Sequence, residues 1–554
     1  MLSRFWPMRP IALIVFIVLI VSAIYGQFLW NPIVFDDKNF FDHGSHSKYL
    51  ESIFKVEFRW LPYASLEWTR VFLGDEIIWY RLGNLALHVL TSVMLFLFLN
   101  RLFQAVVPEE QSPLPGARSG ALASIWMAFF AALIFSLHPA AVYGAAYLIQ
   151  RTILMATLFA LITWYLFLRG VVKNNQWYLL GSAAAYFFSV FAKEHALMAP
   201  AVALAILLLV RKPTRQLFYQ VLPTFVLYGL IAGYVIFQVK TGNLLAQAYE
   251  PRGMDMLSTL ARLDPNFDPK LAYPFSMLTQ SFLFFKYLLV WIFPNPAWMS
   301  VDMFEPFATR FWSLPYVAGM LAFVLYPVAA VWLLLQRERK GLLGFALLCP
   351  WLMFATELST IRIQESFVLY RSYLWMPGAF AAMAFLFHKT PARRTAVILA
   401  ALVLVMIPAT WARLDTFSSP FLLWNDAARL IKGKDNRPGV DRVYHNRGLE
   451  LFKLGYSDLA IDDFNKAISL NPGHILVYND RGAIYLAEKK YEQALADFNK
   501  ALEINPKFWR PYLGRALTYE GLGNASAALA DYKMLCSIGY NVGCKKLEPV
   551  SAAH

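Results

Sequence analysis

The chain has 554 residues, 58% hydrophobic and only 16% charged, with a mean hydropathy of +0.46. That balance excludes an ordinary soluble protein and predicts many membrane-crossing helices. The net charge of +14 does not point to nucleic acid, because the basic residues gather in short loops between apolar runs, as the positive-inside rule produces. Three cysteines are too few for a disulfide framework.

Arg4 and Arg9 precede the first apolar run, Ile11 to Leu29. Ser22-Ala23 has the look of a leader cleavage region, but the run reaches spanning length and reads as an anchor with a cytoplasmic N-terminus. A mixed loop follows, from Asn31 to Ile77, carrying Asp36, Asp37, His43, His46, Arg59, Glu67 and Arg70. Within it Trp60, Tyr63, Leu66 and Trp68 predict an amphipathic helix in the interface.

Further spans are expected over Ile78 to Leu99, Ala121 to Leu137, Thr152 to Leu168, Trp177 to Phe191, a short segment ending at Arg211, and Leu217 to Val239. Others follow at Leu314 to Leu335, Leu342 to Thr356, Tyr373 to Phe387 and Ala396 to Trp411. Phe275 to Phe293 is also apolar, with Pro294 and Pro296 just beyond it. A full crossing there would put Arg337, Arg339 and Lys340 on the wrong side, so it reads as re-entrant or interfacial. With about eleven crossings every basic cluster falls on one side, and the tail lies opposite the N-terminus. Asp36, His138, Arg151, Lys193 and Arg371 share the tail's side.

From about Asn425 onward charges become frequent and long apolar runs stop. Tyr444, Tyr478 and Tyr512 recur at about 34 residues, the period of tetratricopeptide units. Gly448, Ala460, Phe464, Ala467 and Pro472 recur as Gly482, Ala494, Phe498, Ala501 and Pro506. Small residues let the two helices of a unit approach, and Pro ends the second. A third unit, with Ala516, Tyr519, Ala528 and Tyr532, lacks the final Pro and reads as a cap. Cys536 and Cys544 flank Gly539 and Gly543 there; a disulfide and two free thiols both remain open. The expected division is a membrane domain over 1–424, a linker over 425–443, and a repeat domain over 444–554.

Ionisable groups near membrane depth are costly and usually functional. Asp36 and Asp37, just after the first span, are candidates for a general base that deprotonates an acceptor hydroxyl; each carboxylate raises the other's proton affinity. Arg59, Lys193 and Arg371 are candidates for holding a lipid phosphate. His138, Arg151, Glu194, Glu365 and Tyr370 are further candidates on the same side, with a Lys193–Glu194 ion pair the plain alternative. His43 and His46 read as surface residues, since no third metal ligand has convincing spacing. A phosphate-binding Gly loop, a nucleophile elbow and a His-Glu metal helix are all absent from the sequence, which argues against a nucleotide donor.

In their order these motifs resemble the GT-C superfamily of integral-membrane glycosyltransferases that carry tetratricopeptide repeats, including the transmembrane O-mannosyltransferases and their bacterial relatives. The resemblance rests on Phe35-Asp36-Asp37, on Arg59-Trp60-Leu61, and on Tyr80-Arg81-Leu82-Gly83-Asn84-Leu85-Ala86-Leu87-His88. It continues through His138-Pro139 to Arg151, Ala192-Lys193-Glu194, and Leu369-Tyr370-Arg371-Ser372-Tyr373-Leu374. Trp60 stands where the family tends to have Pro, and Val142-Tyr143 where it often has Glu. The resemblance implies an all-α polytopic bundle followed by a repeat solenoid. It implies a polyprenyl-phosphate-linked sugar as donor, a hydroxyl acceptor outside the membrane, inversion at the sugar, and no metal or other cofactor. Asp36 and Asp37 would form the base site, and Arg59, Lys193 and Arg371 would hold the phosphate. The repeats would bind a protein acceptor or partner, for instance a pilin or other secreted protein. The implied location is a bacterial inner membrane, with the active site and repeats in the periplasm. Two other readings stay open: an envelope-polysaccharide polymerase or ligase, and a non-enzymatic scaffold whose charges only fix helix packing.

Overall fold

The structure is a computed structural model. It describes residues 10–35, 37, 41, 49, 57–107, 119–248, 250, 252–435 and 437–547, with the backbone alone at 119–123. Among the described residues it is all-helical; no strand forms, and Met303 and Phe367 meet in an isolated bridge. The chain divides into two compact units, Met1–Leu422 and Leu423–His554.

The first unit is a helical bundle. Its helices are α1 (Pro10–Tyr25), α2 (Trp60–Leu73), α3 (Ile77–Val106), α4 (Ser119–Ser136), α5 (Pro139–Ala145), α6 (Arg151–Lys173), α7 (Gln176–Ala192) and α8 (Ala199–Val210). They continue as α9 (Arg215–Thr241), α10 (Gly253–Leu263), α11 (Ala272–Ile292), α12 (Leu314–Leu335), α13 (Glu338–Phe354), α14 (Leu369–Trp375), α15 (Met383–Leu386) and α16 (Ala392–Thr416). Among the described residues eight helices are long and apolar enough to cross a membrane, or nine if the bent pair α4 and α5 is one span. That pair turns by 66° at His138-Pro139. Proline cannot donate to the ladder of α4, and its fixed φ suits the first turn of a new helix. The His138 ring then caps α5 by accepting the Ala140 N–H at 3.1 Å.

Three expected spans and the expected re-entrant or interfacial segment take other forms; the short span ending at Arg211 is α8, of only 12 residues. Tyr373 to Phe387 is broken: α14 stops at Trp375, Pro377 opens a 3-10 turn, and α15 has four residues. The segment Trp177 to Phe191 lies in α7, whose 17 residues sit at the lower limit of spanning length, and α7 is not among the eight helices long and apolar enough to cross. Phe275 to Phe293, expected to be re-entrant or interfacial, lies in one unbroken helix of 21 residues, α11, which does not turn back on itself. Its backbone bonds are satisfied along its length, so nothing forces a hairpin.

The bundle has two chemically different ends. At one, Arg211 reaches the Val172 carbonyl at 3.2 Å, and Arg337 reaches those of Leu208 and Arg211. Arg169 lies over the Tyr178 ring there. At the other end the start of α3 meets the α5–α6 turn, with Asn84 donating to the Tyr147 carbonyl at 2.8 Å, and the candidate site assembles. Helix α11 both begins and ends at this second end. Ser276, in its second turn, accepts from the Arg362 N–H, while Trp291, in its last, stacks on His138 and donates to Ser372. The chain then folds back along α11, where the Ala308 N–H meets Thr279, before α12 descends. Helix α2 is amphipathic: it buries Pro62, Ala64, Leu66 and Glu67, and leaves Val71, Phe72 and Leu73 exposed.

The second unit is a stack of helix pairs: α17 (Pro420–Ile431), α18 (Asp441–Lys453), α19 (Ser457–Leu470), α20 (Ile475–Ala487), α21 (Tyr491–Ile504), α22 (Trp509–Gly521), α23 (Ala525–Ser537) and α24 (Asn541–Leu547). A Cβ on Gly448 would lie 2.6 Å from the Phe464 ring, and one on Gly482 would lie 3.0 Å from Phe498, so the small residues permit the close approach expected of them. Arg447, Arg481 and Arg515 each grip an aspartate sixteen residues on, Asp463, Asp497 and Asp531, through two bonds of 2.7–2.8 Å. Each also reaches back to an asparagine of the preceding helix: Asn425, Asn465 and Asn499. Asn425 lies on α17, so α17 plays the part of the second helix of an incomplete first repeat. The stretch 425–443, expected as a linker, is helical to Ile431. Cys536 and Cys544 are disulfide-bonded, with Cα atoms 4.7 Å apart, and join α23 to α24.

Candidate functional site

Three loops and two helix starts bring charges together at the second end of the bundle. Arg59 has φ 63°, a left-handed conformation uncommon for a residue with a Cβ. Its N–H donates to the Phe191 carbonyl at 2.8 Å, which ties the start of α2 to the end of α7. Its guanidinium makes a two-pronged pair with Glu194, with Nε 3.1 Å from Oε2. Next along the chain His195 places Nδ1 3.5 Å from Glu194 and Nε2 2.9 Å from Glu357. Glu357 also takes Arg371 at 3.0 Å and Arg362 at 3.3 Å. Arg371 pairs with Glu365 as well, and Arg362 lies 3.4 Å from Glu250. The Glu250 carboxylate is held by the Gln364 N–H at 3.1 Å. Burial pushes the Glu250 carboxyl up, while Arg362 pulls it down.

Lys193 differs from the other bases. It is 6% exposed, and among the described residues no carboxylate lies at ion-pair distance from it. Its Nζ sits 5.9 Å from the centre of the Tyr370 ring. Burial and the nearby Arg59 push its pKa down to about 7, with Arg371 acting in the same direction. Glu194 and Glu365 act in the opposite direction from beyond ion-pair distance, so the buried ammonium is only partly compensated.

These groups wall a cavity of about 180 Å³, lined by Arg59, Tyr63, Gln150, Lys193, Glu365 and Arg371 among others. Beside it runs an apolar groove of about 540 Å³, lined by Leu197, Met198, Val235, Val239 and Ala355 among others. Arg59, Tyr63 and His195 belong to the walls of both. The combined shape suits a molecule with an anionic head and a long apolar tail.

Of the residues singled out from the sequence, Arg59, Lys193, Glu365, Tyr370 and Arg371 line the cavity. Glu194 pairs with Arg59 and lines the groove. The plain Lys193–Glu194 ion pair is not formed; Glu194 turns to Arg59 and His195 instead. His138 and Arg151 lie elsewhere. His138 stacks on Trp291 with ring centres 4.2 Å apart. Arg151 spends its guanidinium on Asn84, Ser65, Thr69 and the Tyr80 carbonyl, clamping α2 and α3 to α6. A Cβ on Gly83 would come within 2.7 Å of that guanidinium, so the glycine makes room for the clamp. Asp37 is fully buried, and its carboxylate accepts the N–H groups of Leu148 (3.0 Å) and Ile149 (2.9 Å). Burial pushes its pKa up to about 6, against the pull of those two amides and of Arg81. Asp36, His43 and His46 lie outside the described residues.

Four members of the cluster escape a reading of the sequence: His195, Glu250, Glu357 and Arg362. Glu357 and Arg362 stand just past the apolar run that ends at Thr356, where an ionisable residue is itself a signal. Glu250 sits in a polar loop among other charges, and nothing local distinguishes it. Among the described residues no group of three His, Cys, Asp or Glu is placed to hold a metal ion.

Comparison with known proteins bears on the second unit. Residues 441–474 and 475–508 each match a tetratricopeptide repeat model, so two such repeats are present; the pair α22 and α23 repeats the same Arg–Asp–Asn contacts beyond the matched residues. Among solved structures the crystal structure of MamA protein is similar to this chain at 23% identity, over 29% of this chain and 88% of that one, with a TM-score of 0.21. Comparison with curated proteins gives no match. Tetratricopeptide repeats are protein-binding modules, so a protein partner suits the second unit.

Proposed function

We propose that the chain is a membrane glycosyltransferase of GT-C type that moves a sugar from a polyprenyl-phosphate donor to a hydroxyl acceptor. The observation that carries this reading is the shared wall between a cation-lined polar cavity and an apolar groove. In this scheme the isoprenoid tail lies in the groove and the phosphate meets Lys193, flanked by Arg59 and Arg371. The acceptor hydroxyl loses its proton to a carboxylate of the Asp36-Asp37 loop. Its oxygen forms a bond to the sugar's anomeric carbon as the bond from that carbon to the phosphate oxygen breaks, with inversion. The electron pair leaves with the phosphate, whose growing charge the fixed cations stabilise. The base supplies the driving force at the acceptor.

A protein acceptor, such as a secreted or surface protein, fits a catalytic unit joined to a protein-binding one. An outer, oxidising location agrees with the Cys536–Cys544 disulfide and with the basic residues at the opposite end of the bundle. The bacterial inner membrane, with the site and repeats in the periplasm, is the setting this reading takes.

The test is mass spectrometry of outer-side proteins from cells carrying the wild-type chain, Asp36→Asn or Lys193→Gln. Loss of a hexose- or pentose-sized mass from one protein in variants that still reach the membrane is the expected result. Altered surface polysaccharide with unchanged protein glycans would point to a polymerase or ligase instead. Wild-type phenotypes throughout would leave only a scaffold.

A further inference from the structure

We propose that Asp37 is a positioning residue, and not the base of the Asp36-Asp37 pair: with Arg81 it staples the first loop to the turn that walls the cavity. The inference rests on the glycosyltransferase reading for its functional meaning, but the staple is visible in the geometry alone.

Both oxygens of Asp37 are committed. Oδ1 accepts from Ile149 and Oδ2 from Leu148, at 2.9 and 3.0 Å, and the residue has no exposed surface. A base must come within hydrogen-bonding reach of the acceptor's proton. Asp37 is absent from the cavity wall, whereas Ile149, which it holds, is part of it, and Gln150 and Thr152, next along the chain at the start of α6, line it too.

Arg81 closes the same seam with the opposite charge. Its Nε donates to the Asn31 carbonyl at 2.8 Å and its Nη2 to that of Pro32, both on the loop. Its Nη1 donates to the Ala146 carbonyl on the turn, at 3.1 Å. Two charged side chains therefore join loop residues 31–37 to turn residues 146–149 by complementary bonds. Apolar packing backs them: Ile33 and Phe41 lie against the buried cluster of Leu66, Tyr80 and Leu148. Phe35 adopts φ 54° between the two anchors, a conformation that persists where its surroundings hold it. With Asp37 so occupied, Asp36 is the member of the pair left to take a proton.

The experiment uses the full chain in lipid nanodiscs, with Asp37→Asn and Arg81→Lys. The first reading is backbone amide exchange at Leu148 and Ile149. An Asn keeps one acceptor but turns an NH₂ group towards the second amide, so exchange there should quicken about tenfold or more while distant helices are unchanged. The second is affinity for a farnesyl methyl phosphodiester, which carries one fixed negative charge; it should weaken about tenfold in Asp37→Asn. A side chain that only stabilised the fold would lower the unfolding temperature and leave the affinity of the folded fraction alone. If Asp37→Asn yields no folded protein, Arg81→Lys carries both readings, because a single ammonium cannot span the loop and the turn. Wild-type exchange and wild-type affinity in Asp37→Asn, together with abolished glycan transfer, would overturn the proposal. If the wild-type chain fails to bind the probe, the lipid-phosphate reading falls, and amide exchange alone decides whether Asp37 is the staple.

Discussion

The two units use ion pairs in opposite ways. In the repeat unit one arginine in each of three helix pairs finds an aspartate sixteen residues on: Arg447–Asp463, Arg481–Asp497 and Arg515–Asp531. The pairs are regular and partly exposed, each joins the two helices of one repeat, and the same arginines reach back to Asn425, Asn465 and Asn499 of the preceding helix. In the bundle the pairs follow no period. Arg59 meets Glu194, Arg362 meets Glu250, and Glu357 takes His195, Arg362 and Arg371 together. Periodic charge marks a structural device built once and copied. Aperiodic charge drawn from distant segments into an apolar setting is costly to assemble, and it surrounds the one cation of the cluster for which the described residues provide no ion pair, Lys193.

The sharpest way to break this contrast is Glu357→Gln. It removes the carboxylate on which Arg362, Arg371 and His195 converge, and leaves buried positive charge uncompensated. A loss of about 3–5 kcal/mol is expected, read as a lower unfolding temperature of the full chain in detergent. A loss no larger than that of a repeat-unit pair would show that the cluster is solvated and the contrast false.

Next in size is Cys536→Ser. A crosslink across so short a loop contributes about 2–3 kcal/mol by chain entropy. In a stack where each repeat touches only its neighbours the loss should stay local. Amide exchange should quicken in α23 and α24 and be unchanged in α18 and α19; a change reaching α18 would mean the stack unfolds as one block. Arg481→Ala should cost less, about 1–2 kcal/mol, because its charge-assisted bonds are partly solvent-exposed. Faster exchange at both joints of α20 is the expected sign, and an effect confined to one joint would show that the Asn465 contact contributes nothing.

The smallest effect on stability is expected from Lys193→Gln, near zero or favourable at neutral pH, because the native lysine is penalised. With its pKa pushed down to about 7, the folded chain sheds a proton that the unfolded chain keeps to about 10.4, so wild-type stability rises with pH across that window. The variant should flatten that rise. Affinity for a phosphodiester should run the other way, falling as pH climbs through about 7 and the cation is lost. Lys193→Arg should bind at every pH tested. Wild-type affinity that is flat from pH 6 to about 9 would show that Lys193 does not face the anion.

The difference between the units also explains what could be read in advance. The repeats were legible because Tyr444, Tyr478 and Tyr512, with their glycines and prolines, restate one local contact pattern. Even there α17 was missed: its Trp424-Asn425 lacks the period, since extra residues separate it from α18. In the bundle, Arg59, Lys193 and Arg371 could be suspected one at a time as charges at the edges of apolar runs. Which carboxylate each would meet could not, because the pairing depends on which helix ends are neighbours. Arg151 and Asp37 carry the same lesson. Each is a charge at an apolar boundary, and only their burial and hydrogen-bond partners separate a clamp or a staple from a residue facing the cavity.

The sequence by itself determined most of the long apolar helices and the split between a bundle and a repeat stack. Those properties follow from hydropathy and spacing, which are local. It left open the Cys536–Cys544 bond, the course of α11, and the two oxygens of Asp37. Each of these is decided by distance between segments far apart in the chain: 4.7 Å between two Cα atoms, a His138–Trp291 stack that brings the end of α11 back beside the site, and two amides of the α5–α6 turn that fill the carboxylate of Asp37. Only packing sets such distances, because burying a charge or a thiol selects whichever partner the fold brings within reach.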